Sequence, residues 1–166
     1  MKTRLRKGML AVAVCLPALS GAAAEEQQGE KRRGIVGIWE VSITIVSCTT
    51  GAPSLTVPHA NISMFNDGGT LTATFLSASD PFSGSANRSS SLGTWRHAGR
   101  NSYTTREKYY EYTATGAFNG TVVVTREVEL GKDADEYTNT AISEFYNAAG
   151  QLINTVCATG AATRFE

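Results

Sequence analysis

Few residues of this 166-residue chain have the types and spacing that chemistry requires. The two histidines, His59 and His97, have no carboxylate or thiolate at metal-ligand spacing, which is typical of solvent-exposed histidines. The chain contains no Gly-x-Ser-x-Gly sequence and no glycine-rich loop that leads into a helix. We therefore expect no metal, no cofactor and no catalytic residue, which leaves Arg126 and Glu107 as the side chains of greatest chemical interest.

Arg126 and Glu107 lie in two alternating segments that predict a hairpin with one buried face. If Thr113 pairs with Phe118 across the turn, Glu107 lies opposite Val124 and diagonal to Arg126. The predicted inward residues are Phe118, Val122, Val124, Arg126 and Val128 on one strand, Tyr103, Thr105, Glu107 and Tyr109 on its neighbour, and Tyr137, Asn139, Ala141, Ser143 and Phe145 on the next. The opposite parity, with Arg106 and Lys108 inside, would bury two cations and is better interpreted as an outer face.

An apolar interior with a few convergent polar groups is typical of a ligand site. We hypothesise that Arg126 binds an acidic ligand head while Tyr103, Tyr109 and Phe145 surround its apolar body. Two alternatives stay open: Arg126 and Glu107 pair with each other, or a bulge turns one of them outward. The interior of a small barrel can also be filled by side chains. The candidate ligand-binding residues are Arg126, Glu107, Tyr103, Tyr109, Phe145 and Tyr137.

The elements that position these residues are short strands, beginning with the alternating stretch Gly37–Val46. The other predicted strands are His59–Asn66, Thr70–Leu76, Leu92–His97, Ser102–Thr113, Ala117–Leu130, Glu136–Asn147 and Gln151–Arg164. Asp67-Gly68-Gly69 is a strong hairpin signal, and residues 77–91 form a predicted serine-rich loop. Eight sequential strands predict an all-β, eight-stranded antiparallel up-and-down barrel, with a two-layer sandwich as the alternative.

The N-terminus has the basic start, short apolar run and Ala22-Ala23-Ala24 site of a secretory signal peptide. We predict a signal peptide over 1–24, a disordered charged linker over 25–33 and one β-barrel domain over 34–166. Removal of residues 1–24 leaves 11 basic and 15 acidic residues, a net charge of about −4. This charge and the absence of a basic cluster after Arg33 argue against nucleic acid as a partner. The apolar run is too short to span a membrane, so we expect a periplasmic or extracellular protein.

Two cysteines, Cys48 and Cys157, remain after removal of the signal peptide, and in an exported protein they predict a disulfide. Two buried free thiols are the alternative. If Cys48 lies opposite Cys157 where the first and last strands meet, then Val41 faces Arg164, and Trp39 is diagonal to Arg164. The same register places Ile43 against Ala162 and Ile45 against Gly160.

Gly37-Ile38-Trp39 on the first strand, together with an arginine near the chain end, resembles the pattern of the calycin superfamily of lipocalins, fatty-acid-binding proteins and avidins. The resemblance implies that Trp39 closes one end of the barrel and that Arg164 stacks over it. The second such sequence, Gly93-Thr94-Trp95, has no fixed role in the superfamily. The other lipocalin motifs and the long flanking helix have no counterpart in this sequence.

We therefore expect an exported, non-catalytic protein that binds a small apolar or amphipathic molecule. A periplasmic or secreted interaction protein or inhibitor that acts through the 77–91 loop is the second hypothesis. A calycin-like isomerase or cyclase with Glu107 as acid or base is the third. The sequence names no protein partner.

Overall fold

A computed structural model describes residues 34–77, 83 and 85–165. The predicted signal peptide (1–24) and charged linker (25–33) lie outside these residues. The described residues form no helix and nine β-strands: β1 Gly37–Val46, β2 Pro53–Phe65, β3 Thr70–Phe75, β4 Asn87–Arg88, β5 Ser91–Gly99, β6 Ser102–Tyr112, β7 Phe118–Leu130, β8 Glu136–Asn147 and β9 Leu152–Arg164.

Eight of the strands close into a barrel. Neighbours in sequence pair antiparallel from β1 to β3 and from β5 to β9, β3 pairs with β5, and β9 returns to pair with β1. The two-residue strand β4 pairs only with the end of β6. The predicted all-β, eight-stranded antiparallel up-and-down barrel is therefore confirmed. Closure removes the unpaired edges that would expose backbone N–H and C=O groups.

The pairing of β1 with β9 corrects the predicted register by two residues. Arg164 lies opposite Trp39 rather than Val41, and Val41 lies opposite Ala162. The error came from placing Cys48 directly opposite Cys157, since β1 ends at Val46 and Val46 is the residue that faces Cys157. Cys48 lies in the following turn and reaches back diagonally. Its disulfide with Cys157 is formed, with a Cα–Cα distance of 5.1 Å.

Strand β2 begins at Pro53 and not, as predicted, at His59. Its two prolines make the first half resemble a loop in sequence, because proline cannot donate to a sheet ladder. Pro53 is the first residue of the strand, where that defect is tolerated. Beyond Pro58 a bulge shifts the β1–β2 register, and His59 takes a positive φ of 49°. The extra length of β2 extends the barrel wall beside the β1 residues Ile43 and Ile45.

Two further corrections concern the β6–β7 hairpin and the loop before β5. Phe118, predicted to face inward, is 47% exposed, because a bulge after Glu111 shifts the last pair of the hairpin. The predicted 77–91 loop contains a strand, since Asn87 and Arg88 pair with Tyr112 and Glu111. Residues 78–82 and 84 of that loop lie outside the described part of the chain.

One end of the barrel is packed with large side chains. Trp39 is fully buried there, donates from Nε1 to the carbonyl of Ile35 (2.9 Å) and meets the Tyr137 ring edge-on at 4.9 Å. The guanidinium carbon of Arg164 lies 4.2 Å from the centre of the Trp39 ring. Arg164 also donates to the carbonyls of Gly34 and Val36 before β1, and of Ala134 in the β7–β8 turn. We call this the closed end, and its core is Ile35, Trp39, Val41, Phe65, Leu71, Tyr103, Val128, Leu130, Ala134, Tyr137 and Ala162.

Candidate functional site

The other half of the barrel interior holds a cavity of about 560 Å³. This volume lies within the range of roughly 300–1,000 Å³ that is typical of small-molecule sites. One side of the cavity is hydrophobic and comes from the first three strands. We call it the apolar wall; it consists of Val41, Ile43, Ile45, Val57 and Phe75.

The cavity exists because small residues occupy inward positions on β8 and β9. Ala141 pairs with Ala158, and both line the cavity. The next inward pair toward the closed end is Asn139 with Gly160. A methyl group on Gly160 would lie 2.5 Å from the Asn139 amide nitrogen, so glycine is what leaves room for that amide. Larger side chains in place of Ala141, Ala158 and Gly160 would fill the space. The interior of the closed end is filled by large side chains in this way.

Arg126 and Glu107 form an ion pair beside the cavity. The β6–β7 register places Glu107 opposite Val124, as predicted, and the Arg126 guanidinium contacts the Glu107 carboxylate directly. The Glu107 side chain is fully buried, whereas that of Arg126 is 10% exposed and lines the cavity. The second carboxylate oxygen of Glu107 accepts a hydrogen bond from the Ser91 hydroxyl at 2.6 Å. Such a pair is tolerated in the interior because each charge compensates the other.

Asn139 and Ser143 accompany Arg126 on the cavity side of β7 and β8. Arg126 lies opposite Ala141, so these two side chains are its diagonal neighbours on the adjacent strand. Neither makes a side-chain hydrogen bond within the described part of the chain, and Arg126 has only its contact with Glu107. We call Arg126, Asn139 and Ser143 the polar wall. It offers hydrogen-bonding groups to whatever occupies the cavity.

A layer of buried polar groups separates the polar wall from the closed end. Burial raises the pKa of the Tyr137 hydroxyl to about 12; Arg126 and a hydrogen bond with Ser63 oppose this shift, and Glu107 adds to it. The Ser63 hydroxyl donates to the Asn61 side-chain oxygen at 2.9 Å. The Asn61 amide nitrogen and the Thr105 hydroxyl are buried without a hydrogen-bond partner among the described residues. Because its pKa is raised, the Tyr137 hydroxyl stays protonated, and hence neutral, at any physiological pH.

Two basic side chains, Arg88 and His59, also line the cavity. Arg88 of β4 lines it, with its guanidinium carbon 3.9 Å from the centre of the Phe75 ring and its Nε donating to the Ser77 carbonyl at 3.0 Å. His59 also lines the cavity, and its Nδ1 lies 2.6 Å from a carboxylate oxygen of Glu40. The segment that carries Arg88 is thus part of the cavity rather than a separate loop.

The structure divides the predicted ligand-binding residues into three groups. Arg126, Tyr109 and Phe145 line the cavity. Glu107 lies behind Arg126, where its side chain is completely buried. Tyr103 and Tyr137 pack in the core of the closed end and do not line the cavity.

Sequence reasoning missed several cavity residues. Val57 and Pro58 belong to the half of β2 that lies outside the predicted strand, and Arg88 belongs to the predicted 77–91 loop. A period of two does continue from Leu55 to Val57, but the flanking prolines obscure it. No pattern in the sequence marks Arg88, because its place beside the cavity depends on the pairing of β4 with β6.

Within residues 34–77, 83 and 85–165, no cluster of three or more His, Cys, Asp or Glu side chains could hold a metal ion. The same residues include no helix long and apolar enough to cross a bilayer. What the cavity does offer is one apolar wall and one wall of hydrogen-bonding groups.

Comparison with known proteins adds no assignment to this geometry. No model of a known protein family matches the chain, and a search of curated proteins found no significant match.

Proposed function

We propose that this chain is an exported, calycin-like protein that binds a small amphipathic molecule in its barrel and catalyses no reaction. The observation that carries the proposal is the 560 Å³ cavity, with its apolar wall facing its polar wall. A site of this kind buries the apolar body of a ligand and fixes its orientation through a few hydrogen bonds.

The calycin relationship is supported by the closed eight-stranded barrel and by the contact between Arg164 and Trp39. Export is supported by the disulfide between Cys48 and Cys157, because such bonds persist in oxidising compartments. The position of Glu107 supports binding without catalysis. Its carboxylate is enclosed by Arg126 and Ser91, so it has no direct path to a molecule in the cavity.

The test is to purify the protein after export, without detergent, and to analyse an organic extract of it by mass spectrometry. We expect a single small molecule in near-stoichiometric amount, or its uptake when the protein is incubated with a lipid mixture. Ala158→Phe, which fills the cavity, should abolish this binding. Ala161→Phe is the matched control, because Ala161 lies on the same strand but is exposed on the outer face. Equal binding by both variants, or no binding by the natural protein, would contradict the proposal.

A further inference from the structure

We infer that the ligand is an electrically neutral amphiphile whose polar group is a hydrogen-bond acceptor, such as a ketone, aldehyde or ester, and not a carboxylate. This inference rests on the proposed function and narrows its ligand class. It also replaces the sequence-based expectation that Arg126 binds an acidic head.

The argument begins with the charge of Arg126. A guanidinium in an apolar cavity attracts a ligand carboxylate less strongly when a protein carboxylate already compensates its charge. Here Glu107 contacts it from behind, and the Glu107 side chain has no exposure to solvent. The pair carries no net charge, so it attracts a ligand anion less strongly than a lone guanidinium would, while the Arg126 side chain still lines the cavity.

A ligand carboxylate at this place would bring a second anion close to Glu107. Two carboxylates would then share one guanidinium in a site with little water, which disfavours the charged form of each. The carboxylate would also lose its hydration on entering, and no further cation on the polar wall would compensate it. Arg88 also lines the cavity, but its guanidinium lies over Phe75 of the apolar wall and donates to the Ser77 carbonyl, and His59 faces Glu40.

A ligand with a neutral hydrogen-bond acceptor would avoid both the repulsion from Glu107 and the loss of carboxylate hydration. The polar wall supplies N–H groups from Arg126 and Asn139 and a hydroxyl from Ser143, none of which is used in a side-chain hydrogen bond elsewhere in the described chain apart from the Arg126–Glu107 contact. A carbonyl oxygen can accept two hydrogen bonds from such donors without altering the charge of the site. The apolar wall then takes the hydrocarbon part of the same molecule, and the two walls together specify an amphiphile.

The experiment measures the affinities of two probes of equal chain length, 2-tridecanone and tridecanoate, at pH 8. Each is titrated in competition with a fluorescent hydrophobic dye. The natural protein should bind the ketone at least tenfold more tightly than the carboxylate. Glu107→Gln removes the anion but keeps the shape, so it should shift the ratio of the two affinities at least tenfold toward the carboxylate. Glu127→Gln is the matched control, because Glu127 is exposed on the outer face of β7 beside Arg126, and it should leave the ratio unchanged.

The possible outcomes separate the two proposals. Tighter binding of tridecanoate by the natural protein, or an unchanged ratio in a folded Glu107→Gln variant, overturns the inference and leaves the proposed function intact. If that variant fails to fold, the comparison in the natural protein decides alone. Absence of binding of both probes by the folded natural protein overturns the proposed function, and the inference falls with it.

Discussion

Replacing Arg126 with methionine tests whether the ion pair beside the cavity is buried as the structure places it. The substitution keeps the unbranched stem but removes the cation that contacts Glu107, whose side chain has zero exposure. The carboxylate would then have a single hydrogen bond, from Ser91, to compensate its burial. Removal of one partner from a buried pair costs about 3–5 kcal/mol of unfolding free energy. For a domain of this size the melting temperature should fall by roughly 10–20 °C.

The double substitution Arg126→Met with Glu107→Leu distinguishes loss of a charge partner from loss of packing. Replacement of a whole buried pair by apolar residues of similar volume is often neutral or stabilising, by about 1–4 kcal/mol. The double variant should therefore recover most of the stability that the single variant loses. A double-mutant cycle, measured by urea unfolding with circular dichroism and tryptophan fluorescence, gives the coupling between the two residues.

Arg106→Met is the control for this cycle. Arg106 is exposed on β6, so its replacement should change the unfolding free energy by less than about 0.5 kcal/mol. The reasoning is refuted if Arg126→Met costs no more than this control. It is also refuted if the double variant is as unstable as the single one, because the loss would then not come from an uncompensated carboxylate.

Three further predictions concern other parts of the barrel. Trp39→Ala should lower the unfolding free energy by about 3–5 kcal/mol, since it empties the centre of the closed end, and an almost unchanged melting curve would contradict that role. The raised pKa of Tyr137, about 12, should reduce stability as pH rises from about 10, where the unfolded tyrosine loses its proton, to 12. The loss should total roughly 2–3 kcal/mol, and Tyr137→Phe should remove this slope from stabilities measured across that range. Replacing Cys48 and Cys157 together by alanine should cost about 2–4 kcal/mol in denaturant unfolding, with the reduced natural protein showing the same loss.

Alternation makes the central hairpin predictable from sequence. Along β6 and β7 buried and exposed residues alternate almost without interruption, so the pattern of residue types is enough to assign Glu107 and Arg126 to the interior. The predicted register began from a Thr113–Phe118 pair, but the structure pairs Phe118 with Tyr112. The predicted pairing of Glu107 with Val124 is nevertheless correct, because the bulge after Glu111 shifts the register by one residue. A period of two is reliable here because one face is buried along the whole length of each strand.

The failures have local physical causes. Phe118 faces outward because a bulge interrupts the alternation next to the turn, and no residue pattern announces that bulge. The predicted β1–β9 register depends on a disulfide, yet a disulfide can join residues that are not direct partners. The cavity itself is beyond prediction from sequence, because its volume depends on how the walls close in three dimensions.

The two halves of the barrel interior differ in the size of their inward side chains, and this contrast is what makes the cavity a candidate site. At the closed end, aromatic residues such as Trp39 and Tyr137 fill the space, and Arg164 covers it. In the open half, Ala141 and Ala158 occupy equivalent inward positions and leave the space empty. An empty apolar volume forgoes packing that would stabilise the fold. A barrel with a disulfide and a well-packed closed end can remain folded without those contacts. A ligand that fills the cavity would restore them and stabilise the fold.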